Sequence, residues 1–444
     1  MPGYDEVLTP ELQQEAESPD RKDMWRSSLE TGTSPECTEL FLEAARRLRL
    51  IDLTERAATV TKQQTRYPEA AHWIAYGVAQ GYAGLALMCS YLDECFPGDK
   101  WDATGHQLIE IAGRALEKEN HVSLGLYAGL SGVAFAALSL SRNGSRYQKF
   151  LSQLDGSLNA SVPPFCDRIA KTETGLSVSE WDLISGITGV GAYLMASGHK
   201  RIAPAFETLL RTLICLFASR DDPPPWHTPP NYLSGKRMRS SHPGGNLNCG
   251  LAHGAPGPLS LLSLAMLNGY NTDGIREAID STATWIIRNR SDDKWGINWP
   301  SVVPLPSKEN DRSDENRPIP SRSGWCYGAP GVARSLWLAG RALNRKKYRD
   351  VAVAAMEAVS RRPISVRHID SPTFCHGVAG LLQIVLRFAH DTKYSGFFVQ
   401  FAHSLIEQLL SQTFGTRRSA FHNRAVFVDF FSKCPCNGFP ACRY

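Results

Sequence analysis

HGVAGLLQIVLRFA, residues 376–389, is one of six versions of a single phrase, a Gly-x-x-Gly step followed by an apolar or small-residue run. The others are GYAGLALM (81–88), AGLSGVAFAAL (128–138), SGITGVGAYLM (185–195), HGAPGPLSLLSLA (253–265) and YGAPGVARSLWLAG (327–340). Their first glycines, Gly81, Gly129, Gly186, Gly254, Gly328 and Gly377, stand 48, 57, 68, 74 and 49 residues apart. Self-similarity of this kind marks a repeat architecture, and each interval has room for two helices and their loops.

Between the phrases lie amphipathic stretches at 36–53, 104–118, 202–218, 274–288, 348–361 and 397–410. Their apolar residues recur every three or four positions, the spacing of one buried helical stripe. The runs after the glycines are apolar on more than one face. This pattern predicts an all-α fold of alternating inner and outer helices. The glycines sit where inner helices begin and backbones approach closely, some of them with positive φ. Two proline-rich stretches, 221–247 and 298–324, cannot be regular helix and lead directly into glycine phrases. Loops there can cover an active site, hold a peptide or simply run over the surface.

The remaining composition narrows the class. A formal charge of +4, from 48 basic and 44 acidic residues, is too balanced for a nucleic-acid partner, and the Arg-containing stretch 46–56 reads as the polar face of a helix. There is no apolar run of membrane-spanning length, and the polar, acidic first residues do not resemble a signal peptide. The 11 cysteines are odd in number and scattered, which favours a reducing cytoplasm over a disulfide framework. Neither a dinucleotide fingerprint nor a Walker phosphate loop is present.

The chemistry-bearing residues gather just before the glycines. Ser323-Gly324-Trp325-Cys326-Tyr327-Gly328 and Thr373-Phe374-Cys375-His376-Gly377 each place a cysteine ahead of the first repeat glycine. If the repeats are structurally equivalent, Cys326, Cys375 and His376 reach one end of the helical array and form a three-ligand metal site. Two thiolates and an imidazole suit zinc, and an open fourth position suits catalysis. Each motif taken alone is equally compatible with a core cysteine and a satisfied histidine. His253, in the slot before Gly254, reads as a fourth ligand, an acid or a core histidine. Asp182 reads as an imidazole-orienting group, a helix cap or a surface carboxylate. Arg322 either holds a negatively charged intermediate or makes a surface ion pair, and Tyr327 is a hydrogen-bond donor or a packing residue. Cys249 and the terminal Cys434, Cys436 and Cys442 lack metal-site spacing and read as non-ligands.

The phrases Trp181-Asp182-Leu183-Ile184-Ser185-Gly186, Asn248-Cys249-Gly250-Leu251-Ala252-His253-Gly254, Trp325-Cys326-Tyr327-Gly328 and Cys375-His376-Gly377 together resemble the lanthionine synthetase C-like family, in particular its bacterial stand-alone cyclases of lanthipeptide biosynthesis. The resemblance covers roughly residues 35–415. It implies an α,α-toroid, zinc on Cys326, Cys375 and His376, acid–base roles for Asp182 and His253, and pocket roles for Arg322 and Tyr327. The implied reaction is intramolecular addition of a cysteine thiol to dehydroalanine or dehydrobutyrine in a precursor peptide, with a lanthipeptide dehydratase as a possible partner. Residues 1–34 are expected to be a flexible N-terminal segment and 416–444 a divergent C-terminal one, since no seventh glycine phrase follows the sixth. The competing functions are zinc-dependent addition of glutathione or another small thiol to an electrophilic peptide, and a noncatalytic peptide-binding scaffold with structural zinc.

Overall fold

Every glycine phrase starts a helix. In the structure, a computed structural model describing residues 35–64, 73–306, 319–392 and 394–414, two N-terminal helices come first, α1 (Pro35–Leu48) and α2 (Ile51–Gln64). Six helix pairs follow. They are α3 (Tyr82–Cys95) with α4 (Trp101–Glu117), α5 (Leu130–Ser139) with α6 (Gln148–Ala170), and α7 (Ile187–Ser197) with α8 (Ala203–Ala218). After them come α9 (Pro256–Leu267) with α10 (Ile275–Arg288), α11 (Ala329–Ala342) with α12 (Lys346–Arg361), and α13 (Val378–Asp391) with α14 (Ser395–Phe414). The fold is almost entirely helical. Among the described residues, no helix is long and apolar enough to cross a membrane.

The two members of a pair are buried differently, as their sequences require. On α3, every residue from Tyr82 to Leu92 is buried, and α5, α7, α9 and α11 are enclosed in the same way. On α4, Trp101, Gly105, Leu108, Ile109, Ala112 and Leu116 form one buried stripe at helical spacing. Each enclosed helix packs on its own partner and on the enclosed helix of the next repeat, in the series α3, α5, α7, α9, α11, α13.

The glycines are explained by proximity more than by unusual dihedrals. At the second glycine of all six phrases, an added Cβ would fall closer than 3.0 Å to the carbonyl oxygen six residues earlier. Those carbonyls belong to Val78, Leu126, Leu183, Leu251, Trp325 and Phe374, because the loop entering each helix folds back over its first turn. Of the first glycines, Gly328 has a positive φ, +91°, while Gly81, Gly129, Gly186 and Gly377 are extended. The expectation of positive φ therefore holds at one repeat, and close backbone approach accounts for the rest.

These loops are joined to one another. The amide of Val78 donates to the carbonyl of Tyr127 (2.8 Å), Tyr127 to Ile184 (3.2 Å), Leu183 to Ala252 (3.1 Å), Ala252 to Cys326 (3.3 Å) and Cys326 to Cys375 (3.0 Å). Near-equivalent residues of the six repeats thus form one continuous backbone relay.

Several expectations are corrected. The stretch 36–53 is two helices, because the chain turns at Arg49 and Leu50 before α2 begins at Ile51. The 23-residue helix α6 has no counterpart among the stretches singled out in the sequence, since Pro163 and Pro164 interrupt its pattern yet lie inside it. The two proline-rich loops are tied together. Asn246–Asn248 (β1) pairs antiparallel with Val302–Pro304 (β2), with Leu247 opposite Val303. The expected terminal segments 1–34 and 416–444, with Cys434, Cys436 and Cys442, lie outside the described residues.

The repeat packing gives a paired prediction. G132A places a methyl against the Leu126 carbonyl and, at 2.9 Å, the Val78 side chain, so it should destabilise the fold by about 1–3 kcal/mol. G156A adds a methyl in open space on the exposed side of α6 and should stabilise it by roughly 0.5–1 kcal/mol. Chemical denaturation of the two variants beside the parent chain checks both signs.

Candidate metal centre and its surroundings

Cys326 and Cys375 are successive members of the backbone relay, and their amide-to-carbonyl bond sets their side chains side by side. Trp325 anchors the first, its ring 5.1 Å from Phe374 and 6.2 Å from Tyr127. One ligand atom each from Cys326, Cys375 and His376 lies within 4.8 Å of the others. This is the trio that repeat equivalence predicted. Cys326 is buried, whereas Cys375 and His376 are exposed, so the cluster opens outward on one side.

The pair is electrostatically prepared to carry negative charge. A hydrogen bond from the Cys375 thiol, aided by His376 and the Arg322 guanidinium, pulls the Cys326 thiol down to about 5 against the opposing effect of burial. Cys375 is pushed up because its proton is held by the neighbouring thiolate. A soft dication held there would meet two cysteine sulfurs and an imidazole, a donor set that fits zinc. Cys249 lies apart from the cluster. It is buried, its thiol is directed to the Leu247 carbonyl, and burial pushes its pKa far up.

A second polar group is built from the preceding repeats. Trp181 is fully enclosed between Phe217 and Trp226, with ring centroids at 5.6 and 5.8 Å, and it fixes the chain at Asp182. Oδ1 of Asp182 accepts the amides of Ile184 (3.0 Å), Ser185 (2.7 Å) and Gly186 (2.8 Å), which lead into α7. Oδ2 meets His253 Nδ1 at 2.5 Å. Asp182 is 1% exposed, while the His253 side chain is 38% exposed, so the imidazole has one face on a buried carboxylate and the rest available. Asp182 therefore binds an imidazole and the loop ahead of α7; it does not cap that helix, whose N-cap is Gly186, and it is not a surface carboxylate.

Tyr327 links the two groups. It follows Cys326 in the chain, and its ring centroid is 6.3 Å from that of His253. Its hydroxyl accepts a hydrogen bond from Asn248 Nδ2 at 3.0 Å, and burial raises its pKa to about 12. Gly250 makes space for the ring, since a Cβ there would stand 2.6 Å from two of its carbons. Arg322 is exposed, and its charge reaches both cysteines. Sequence reasoning missed Asn248 as a member of this region, although it opens the phrase ending in His253, and also Tyr127, whose phenol is raised by burial and by the two cysteines. The signal for Tyr127 was its position, two residues before a repeat glycine, the slot that Cys326 and Cys375 occupy.

Comparison with known proteins covers most of the chain. The family described as "Lanthionine synthetase C-like protein" matches residues 72–427. The chain is 23% identical over 342 residues to the nisin biosynthesis protein NisC of Lactococcus lactis subsp. lactis, a stretch covering 76% of this chain and 79% of that protein. A solved nisin cyclase superposes with a TM-score of 0.68 at 20% identity, over 86% of this chain and 92% of the other.

The cluster makes a direct prediction. The purified chain should hold about one zinc per polypeptide. C326A, C375A and H376A should each sharply lower that content, and C249A should not. Elemental analysis of folded variants measures it, and full zinc in all three ligand variants would rule out this donor set.

Proposed function

Because the chain belongs to the lanthionine synthetase C-like family, we propose that it is a zinc-dependent lanthipeptide cyclase, closing (methyl)lanthionine rings in a dehydrated precursor peptide. The observation that carries this reading is the Cys326–Cys375–His376 cluster, with its donor atoms within 4.8 Å, open on one side and prepared to hold negative charge. The relationship to NisC and the fold shared with a nisin cyclase support it. In the same reading the six enclosed helices form the inner wall of an α,α-toroid spanning 35–415, and their partners form its outer wall.

Cys326, Cys375 and His376 would hold a zinc ion, which would supply a Lewis acid that lowers the pKa of the substrate cysteine thiol. The reaction forms one carbon–sulfur bond at the β-carbon of dehydroalanine or dehydrobutyrine. The alkene electron pair moves toward the adjacent carbonyl as an enolate, and a proton returns to the α-carbon. His253 delivers that proton. Its Nδ1–H is held on Asp182, which leaves Nε2 as the nitrogen that carries and releases the proton. The Arg322 guanidinium and the Tyr327 hydroxyl face the developing oxyanion as donors. Tethering thiol and alkene in one peptide lowers the entropic cost of their encounter. The substrate's alkenes come from dehydration of serine and threonine, so a dehydratase acts before this chain. Free thiols at Cys89, Cys95, Cys166, Cys215, Cys249, Cys326 and Cys375 suit a reducing compartment such as the cytoplasm.

A zinc-loaded preparation should convert a dehydrated precursor to a product of unchanged mass that has lost free thiol. External thiol addition would raise the mass, and a scaffold would bind without turnover, so mass spectrometry after thiol alkylation separates the three. H253A and H253N should keep near-stoichiometric zinc while losing about 100-fold or more of the single-turnover rate. Zinc loss in step with activity would make His253 a ligand, and wild-type turnover in a loaded variant would remove it as the acid.

A further inference from the structure

Asn248 sits at the end of β1, 8% exposed, and uses both ends of its amide inside the protein. Its Oδ1 accepts the Gly250 amide at 3.0 Å, and its Nδ2 lies 3.0 Å from the Tyr327 hydroxyl. The two contacts fix each other's polarity. A backbone N–H can only donate, so the oxygen of Asn248 must face Gly250. The nitrogen then faces Tyr327, and an amide nitrogen cannot accept. The Tyr327 oxygen is therefore the acceptor, and its own O–H points elsewhere. Asn248 is the hydroxyl's sole hydrogen-bond partner among the described residues.

The ring leaves that O–H little choice of direction. It is held beneath the bare Gly250, where a Cβ would collide with it, and lies 6.3 Å centroid to centroid from His253. Cys326 immediately precedes it in the chain. We infer that Asn248 is a positioning residue that holds the Tyr327 hydroxyl as a hydrogen-bond donor toward substrate bound between His253 and the Cys326–Cys375–His376 cluster. In the proposed cyclisation that donor meets the enolate oxygen formed when sulfur adds. The inference rests on the cyclase reading for its consequence, but its geometric content, the polarity of one hydrogen bond, is independent of it.

N248D is the informative substitution because it is nearly isosteric. An aspartate still accepts the Gly250 amide, so the loop keeps its bond. Toward Tyr327, however, the carboxylate can only accept, and it captures the phenolic proton that the site would otherwise present. The expected result is a loss of roughly 10- to 100-fold in single-turnover cyclisation, with zinc content and thermal midpoint preserved. In a Y327F background, which has no hydroxyl to redirect, the same substitution should cost less than about twofold, since coupled groups are non-additive. Wild-type rates in N248D would overturn the inference. So would an equal loss with and without the Tyr327 hydroxyl, or a loss that follows zinc content or melting temperature, because each assigns Asn248 to loop support or local charge. A second readout needs no substrate. In protein labelled with ¹³Cζ-tyrosine, the Tyr327 resonance, identified by its absence in Y327F, should move downfield in N248D as the phenol becomes a donor to carboxylate. An unmoved resonance would overturn the inference even if the chain proved not to be a cyclase. A moved resonance with an inactive parent chain would uphold the polarity and reject the cyclase reading alone.

Discussion

The backbone relay from Val78 through Tyr127, Ile184, Ala252 and Cys326 to Cys375 is the constraint on which the site depends. Each bond occupies a main-chain amide that would otherwise be an unpaired donor in a crowded loop. Each also fixes the register of one repeat against the next. For the loops to come this close, they must fold back onto the first turn of their own helices, which is why a side chain is excluded at the second glycine of every phrase. The glycine repeat and the relay are thus two views of one packing requirement. The candidate site residues then fall in repeat order along the relay. Asp182 comes from the third phrase, His253 from the fourth, Cys326 and Tyr327 from the fifth, and Cys375 and His376 from the sixth.

That ordering explains how groups nearly two hundred residues apart in the chain come together without a dedicated insertion to gather them. An exchange of side chains at slots just before the glycines changes the chemistry without disturbing the main-chain bonds, since the relay uses only N–H and C=O. The corresponding slots of the first two phrases hold Ala79, Gln80, Tyr127 and Ala128, with no metal-ligating type among them. The array can therefore concentrate its polar groups on one arc and keep small or aromatic residues on the rest.

Much of this was legible in the sequence because it is periodic. The six phrases mark the enclosed helices, the stripe spacing marks most of their partners, and repeat equivalence alone brings Cys326, Cys375 and His376 together. What escaped was whatever depends on long-range pairing or on local departures from periodicity. The strand pairing of residues 246–248 with 302–304 joins two proline-rich loops that look unrelated in the sequence. Helix α6 keeps its course through Pro163 and Pro164, where propensity predicts a break. Asn248 was passed over because an asparagine near a loop is ordinarily a turn residue, and its pairing with Tyr327 spans 79 residues.

Lone-pair accounting separates the duties of the two acidic-side groups in the proposed reaction. Asp182 accepts three amides on one oxygen and His253 on the other. It is also buried at 1% exposure, which keeps substrate away from it. Its effect on chemistry must therefore pass through the imidazole, whose tautomer and orientation it sets, much as a buried carboxylate does for a histidine in a hydrolytic triad. A carboxylate can only accept, so Nδ1 is the donor in their contact and Nε2 is the nitrogen left for substrate. The thiolate pair beyond Tyr327 has the opposite task of receiving a cation. Keeping acid and metal ligands on separate phrases lets each be tuned by its own neighbours, and the hydroxyl of Tyr327, donating between them, is the group that both halves of the proposed reaction share.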